Sequence, residues 1–230
     1  MRSHRIVLSG LAVALAAAVA QSASGPALAG SSGLSPTHRS QLSSLVSEPL
    51  PVASTCVKQN DNDNGVGIIS QNFETDFDAY DSRGADDFTL EHRCTIREVD
   101  VNGAYFTGIG PADSLQVVFY LDDGTSPGRR IDNQNNLAYR DRGGLGNFKI
   151  PLPESVTLRP GTYWVAVRAN MEFRYGGEWG WNTNNTARGD VAQWRNVGDG
   201  FDTGCTTWGE VTACLDDGGE GPDFSFALLK

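Results

Sequence analysis

Histidine is almost missing from this sequence: of 230 residues three are histidine, and one of them, His4, sits at the extreme N-terminus. Catalysis by a nucleophile and a base needs an imidazole or another base beside Ser, Cys or Thr, and only His38 and His92 remain for that role. Neither G-x-S-x-G nor H-E-x-x-H occurs, so the signatures of α/β-hydrolases and of zincin proteases are absent. Lysine is scarce too, confined to Lys58, Lys149 and Lys230. No basic cluster exists that could neutralise a phosphate backbone, which argues against a nucleic-acid partner. Helical periodicity sustained over ten residues is lacking beyond the N-terminal region, so an α-rich domain is excluded as well.

The N-terminus carries an address. A basic patch of Arg2, His4 and Arg5 precedes the apolar run from Ile6 to Ala20, built almost wholly of Ala, Leu and Val. That order is the signature of a secretory leader, and the run falls short of the ~20 residues a permanent span requires. Pro26 leads into Ala27-Leu28-Ala29, giving residues 1–29 as the signal peptide, with cleavage after Ala20 as the alternative. Residues 30–55, rich in Ser, Pro and Gly, read as a flexible linker. Residues 56–230 form one domain, a length that suits a single β-sandwich. The sequence holds 18 Lys+Arg against 28 Asp+Glu. Loss of Arg2 and Arg5 with the leader takes the formal charge from −10 to −12, a surface that repels anionic lipid and nucleic acid. No membrane insertion is expected after cleavage, and with no sorting signal or apolar tail before Lys230 a free extracellular or periplasmic protein is expected.

Four cysteines, Cys56, Cys94, Cys205 and Cys214, follow the leader. In an oxidising compartment they are expected to pair, and without C-x2-C spacing a zinc site is disfavoured. Three connectivities are open. Cys56–Cys94 with Cys205–Cys214 is favoured, because the second pair brackets a short segment able to fold back on itself.

Period-2 alternation and β-branched or aromatic content predict strands at 66–70, 87–90, 96–106, 115–121, 148–152, 162–169, 193–197 and 224–229. In the run from Thr162 to Ala169, Tyr163, Val165 and Val167 share one face and Trp164, Ala166 and Arg168 the other. Such a strand presents one face to a core and the other to solvent. Turn-forming groups such as Asp122-Asp123-Gly124, Arg159-Pro160-Gly161 and Asp216-Asp217-Gly218 separate the runs. The pattern predicts an all-β, two-sheet sandwich of jelly-roll type.

Several stretches carry a likeness: Ala85-Asp86-Asp87-Phe88-Thr89-Leu90, Pro160-Gly161-Thr162-Tyr163-Trp164, Trp179-Gly180-Trp181 and Gly204-Cys205-Thr206-Thr207-Trp208-Gly209. From about Asn60 onward the chain resembles a family of bacterial secreted β-sandwich domains, found alone or appended to extracellular proteins and hydrolases. The resemblance implies an extracellular address and a sandwich architecture, and it transfers no catalytic residues.

Three constellations could carry chemistry. Aromatic rings stack on the apolar faces of sugars while amides bond hydroxyls, and Tyr175, Trp179, Trp181, Asn182 and Asn184 supply that mixture, with Asn185, Trp194 and Trp208 as further contributors. The same tryptophans could instead fill a sandwich core. Being two residues apart, Trp179 and Trp181 share a face in any strand and are buried or exposed together. Paired carboxylates can hydrolyse glycosides when they face each other across a sugar, and Glu172 and Glu178 flank this stretch. Hard oxygen ligands suggest structural calcium: the loop Asn60 to Gly65 fits an EF-hand until Gln71 falls where a bidentate Glu is required. Asp86, Asp87 and Asp223 remain as ligands for a jelly-roll calcium site. The reading that results is a non-enzymatic secreted module that binds a ligand or serves the cell surface, with glycan as the leading ligand and an envelope protein as the other partner. A carbohydrate-active hydrolase using Glu172 and Glu178, and a purely structural envelope protein, are the alternatives.

Overall fold

The computed structural model describes residues 54–215 and 221–230. The expected leader, nearly all of the linker and the turn at Asp216 to Gly218 lie outside the described residues. In chain order the strands are β1 (Thr55–Lys58), β2 (Asp63–Ile69), β3 (Gln71–Asn72), β4 (Ser82–Leu90) and β5 (Cys94–Val101). Then come β6 (Gly103–Phe106), β7 (Ser114–Asp122), β8 (Pro127–Leu137), β9 (Arg140–Asp141), β10 (Phe148–Leu158) and β11 (Gly161–Asn170). The last five are β12 (Glu178–Asn184), β13 (Gln193–Asn196), β14 (Gly209–Glu210), β15 (Asp223–Phe224) and β16 (Phe226–Leu229). A 3-10 segment at Thr75–Tyr80 and single helical turns at Phe173–Gly176 and Val211–Cys214 complete the described elements.

The strands build an all-β sandwich, with three sheets where the sequence predicts two. One sheet runs β1-β16-β5-β10-β9, the second runs β14-β13-β4-β11-β7-β8 with β3 beside β11, and the small third centres on β12, with β15, β2 and β6 as neighbours. The third sheet arises because the predicted strand 96–106 is two strands. At Asn102 the chain leaves β5: its N–H donates to Ser225 O (3.1 Å), and its carbonyl accepts from Asn182 N (2.9 Å). From there β6 joins β12, with Gly103 opposite Trp181 and Tyr105 opposite Trp179.

Alternation drives the packing. Val165, Val167 and Ala169 of β11, Phe88 and Leu90 of β4, and Leu115, Val117 and Phe119 of β7 meet Ile96, Val99 and Val101 of β5, Phe148 and Ile150 of β10, and Phe226 and Leu228 of β16. The other face of β11 departs from expectation. Trp164 and Ala166 are buried there with Ala85, Val118 and Tyr120, and Trp208 packs against them. A second, smaller apolar cluster therefore lies on the far side of that sheet. Trp164 reaches polar company through Nε1, which donates to Asp122 Oδ1 at 2.8 Å.

Both disulfides have the favoured connectivity, Cys56–Cys94 and Cys205–Cys214, and no cysteine is free. The first ties β1 to the start of β5. The second closes a span of 9 residues beside β13 and β14. Disulfides of this kind belong to oxidising surroundings, extracellular or periplasmic. Among the described residues no helix is long and apolar enough to cross a membrane.

Candidate functional site

The aromatic platform does not form. Trp179 and Trp181 are both fully buried, as their shared face requires once one of them enters the core. Trp181 stacks on Phe224 with centroids 4.5 Å apart, and its Nε1 donates to Ser225 O at 3.0 Å. Trp179 stacks on Phe148 at 5.1 Å and donates to Gly146 O at 2.9 Å. Trp194 is buried as well. Asn184 is buried and committed, with Nδ2 donating to Gln59 O (2.6 Å) and Oδ1 accepting from Thr186 N (2.8 Å). Tyr175 stays outside, 84% exposed on the turn Phe173–Gly176, with no partner ring from this set; Asn185 is exposed too, and Trp208 is half-buried over the smaller apolar cluster.

Asn182 is the member that reaches a cleft. A cavity of about 770 Å³ lies against the small sheet, walled by Asp63, Asn182, Tyr105 and Asn147 and by the apolar side chains Ile109 and Leu145. Glycine shapes this wall: a Cβ at Gly67 or Gly180 would strike the Phe106 ring, and one at Gly103 would strike the Trp179 indole. Asp63 fixes Asn182 by accepting from its Nδ2 with both carboxylate oxygens, each at 3.1 Å, and also accepts from Gly65 N at 2.7 Å. Asn182 Oδ1 is left buried and without a hydrogen-bond partner. On the opposite rim Asp141 orders the loop carrying Leu145, its Oδ1 accepting from Leu145 N (3.1 Å) and Gly146 N (3.0 Å). Ile109 and Leu145 stand 86% and 65% exposed above the polar floor. The arrangement sets a carboxylate and an amide below two aliphatic surfaces, which suits a hydroxylated ligand with an apolar face. Sequence reasoning found Asn182, flagged Asp63 only as part of the Asn60 to Gly65 loop weighed for calcium, and missed Ile109, Leu145 and Asn147. The signal was the glycine density at 103–110 and 143–146: at Gly103, Gly108 and Gly146 the backbone approaches other elements closely, and Gly143 and Gly144 turn the chain at positive φ.

Asp86, Asp87 and Asp223 do come together, although β4 and β15 are far apart in sequence. Asp86 Oδ2 accepts from Phe224 N (2.7 Å) and its Oδ1 from Asp87 N (2.9 Å). Asp87 Oδ1 accepts from Asp190 N (2.9 Å), and Asp223 Oδ2 accepts from Arg188 N (2.6 Å). All three side chains are buried. Burial, and then the neighbouring Asp223, push Asp86 well above the usual carboxylate range. Burial likewise pushes Asp87 up to about 7 and Asp223 up to about 6. Desolvation with few cations nearby favours the protonated acid. Among the described residues no group of three or more His, Cys, Asp or Glu side chains is arranged to hold a metal ion.

Glu172 and Glu178 do not face each other across this cleft, which neither of them lines. Glu172 is exposed and precedes the turn Phe173–Gly176. Glu178, half-buried in β12 and raised by that burial, accepts from Thr107 Oγ1 at 3.2 Å. Fold and cleft together define a disulfide-bonded, all-β sandwich domain. No protein-family model matches the chain, and no curated protein and no solved structure matches it.

Proposed function

We propose that this chain is a secreted, non-enzymatic binding module and that its ligand is a glycan held in the cleft between Asp63, Asn182, Ile109 and Leu145. The observation that carries the reading is the meeting, in one cleft, of the Asp63 carboxylate and the Asn182 amide it holds with the exposed aliphatic side chains of Ile109 and Leu145. Exposed aliphatic side chains opposite a polar floor match the two-sided character of a sugar ring. Secretion is supported by the charged-then-apolar N-terminus and by the two disulfides.

Affinity electrophoresis of the mature protein through gels containing soluble polysaccharides tests the reading. Retardation by a neutral polysaccharide is expected, and Leu145→Asp and Ile109→Asp should each abolish it while leaving the thermal midpoint in place. Uniform mobility across the polysaccharides, or retardation unchanged in both variants, would refute it.

A further inference from the structure

On the far side of the β4–β11 sheet, away from the glycan cleft, three arginines meet. Arg195 of β13 lies directly opposite Arg83 of β4. Arg168 follows Val167, which pairs with Gly84 of β4, and itself pairs with Gln116 of β7. A single row crossing four strands thus reads Arg195, Arg83, Arg168, Gln116. The three arginines line a basin of about 420 Å³ whose rim includes Ser82, Asp81 and Asp78.

Like charges opposed across an antiparallel pair destabilise a sheet, and this row holds three in a chain whose formal charge is −10. Burial, then Arg83 nearby, lowers Arg168 to about 10, and burial also lowers Arg195. Counter-charge is sparse. Asp81 Oδ2 stands 3.7 Å from Arg168 Nη1, and burial raises the Asp81 carboxyl. Asp78 on the rim is exposed. The Nε atoms of Arg83 and Arg168 are buried with no hydrogen-bond partner.

The guanidinium groups are nonetheless held in place. Arg83 donates from Nη1 to Tyr120 Oη (3.2 Å) and from Nη2 to Gln116 Oε1 (2.6 Å), and Gln116 Nε2 donates on to Asn133 Oδ1 (2.8 Å). Arg195 lies over the Trp208 ring, 4.3 Å from its centroid. Positioned, partly desolvated guanidinium groups with unspent donors are what recognition of an oxyanion requires.

We propose that the Arg83–Arg168–Arg195 basin is a binding site for a small ligand bearing one oxyanion group, carboxylate or phosphate, on a sugar-sized body. The acidic surface repels a polyanion at long range, whereas three guanidinium groups at contact distance favour a single anionic group. The cavity admits a monosaccharide and not a folded domain. The basin is independent of the glycan cleft, and either can fail alone.

The test is the thermal midpoint of the mature protein with glucuronate, inorganic phosphate or glucose at 10 mM, on the order of a weak single-group affinity, against sodium chloride of equal ionic strength. Glucuronate or phosphate should raise the midpoint and glucose should not, and whichever anion acts identifies the group. Arg195→Gln and Arg168→Gln should each weaken anion affinity by about tenfold or more, as loss of a charge-assisted hydrogen bond does. Both should raise the ligand-free midpoint by relieving like-charge repulsion. Arg129→Gln, the same charge change on exposed β8 residue Arg129, should leave the anion response intact. A midpoint that neither anion moves beyond the chloride control overturns the proposal. So does a response that survives both basin substitutions, or one that Arg129→Gln weakens equally.

Discussion

Replacing Asp87 by asparagine should stabilise the protein above neutral pH and change little near pH 4. An aspartate in the unfolded chain titrates close to 3.9, while burial holds Asp87 up near 7 in the fold. Between those values the folded state keeps a proton that the unfolded chain has released, so stability falls as pH rises and the loss is complete above about pH 7. The gap sets an upper bound of about 4 kcal/mol, reduced by solvent screening because Asp87 lines a cleft beside Arg188 and Gly189. Asp86 and Asp223 are shifted in the same direction and steepen the slope. The asparagine side chain would mimic the protonated acid: its amide oxygen keeps the bond from Asp190 N, 2.9 Å long in the wild type, and it carries no charge to desolvate. For a domain of this size 1 kcal/mol moves the midpoint by about 2–4 °C, so the variant should melt several degrees above wild type at pH 8, with about 10 °C as the upper bound. The assay is calorimetry from pH 4 to pH 8 in chelator, because a bound divalent cation would neutralise the same carboxylates. A wild-type midpoint that climbs from pH 5 to pH 8, or a variant that melts below wild type at pH 8, would refute the reasoning.

Other substitutions read the remaining structure. Trp181→Ala removes a fully buried indole stacked on Phe224 and should destabilise by about 3–5 kcal/mol in chemical denaturation; a loss under 1 kcal/mol would mean that the ring is not core. Tyr175→Ala should leave the denaturation midpoint unchanged, since that ring is 84% exposed. The denatured, unreduced protein should show no thiol reactive toward a chromogenic disulfide reagent. Removing Cys56–Cys94, separation 38, should lower stability by about 4 kcal/mol, and removing Cys205–Cys214, separation 9, by about 3 kcal/mol; the opposite ranking would contradict the loop-closure argument. Gly189→Ala should be destabilising, because φ is +90° there and a Cβ would strike the Asp87 carboxylate.

Much of the sandwich is legible in the sequence, because half-buried strands declare themselves by alternation. Strand β7 matches its predicted bounds to within a residue, and β11 exceeds its own by one at each end. Polar composition hid β8, whose Arg, Asp, Asn and Gln residues carry no apolar period although its backbone pairs with β7 along most of its length. Prolines shortened the predicted β10: Pro151 and Pro153 lie inside the strand, which tolerates them through a register shift between Pro151 and Val156. The face of Trp179 and Trp181 was legible and its destination was not, since what covers a face is set by distant residues such as Phe148 and Phe224. The meeting of Asp86, Asp87 and Asp223 follows residue types that sequence could flag. The arginine row depends on strand order, which alternation does not encode.

Strand β8 closes one end of the second sheet, and edges of that kind are where β proteins aggregate. Its outward side is built against that outcome. Arg129 and Arg130 are exposed, Pro127 removes a donor, and three register irregularities interrupt the ladder with β7. An incoming strand would meet like charges and broken spacing in place of a flat template, so copies of this protein can crowd at high local concentration without zipping edge to edge through β8.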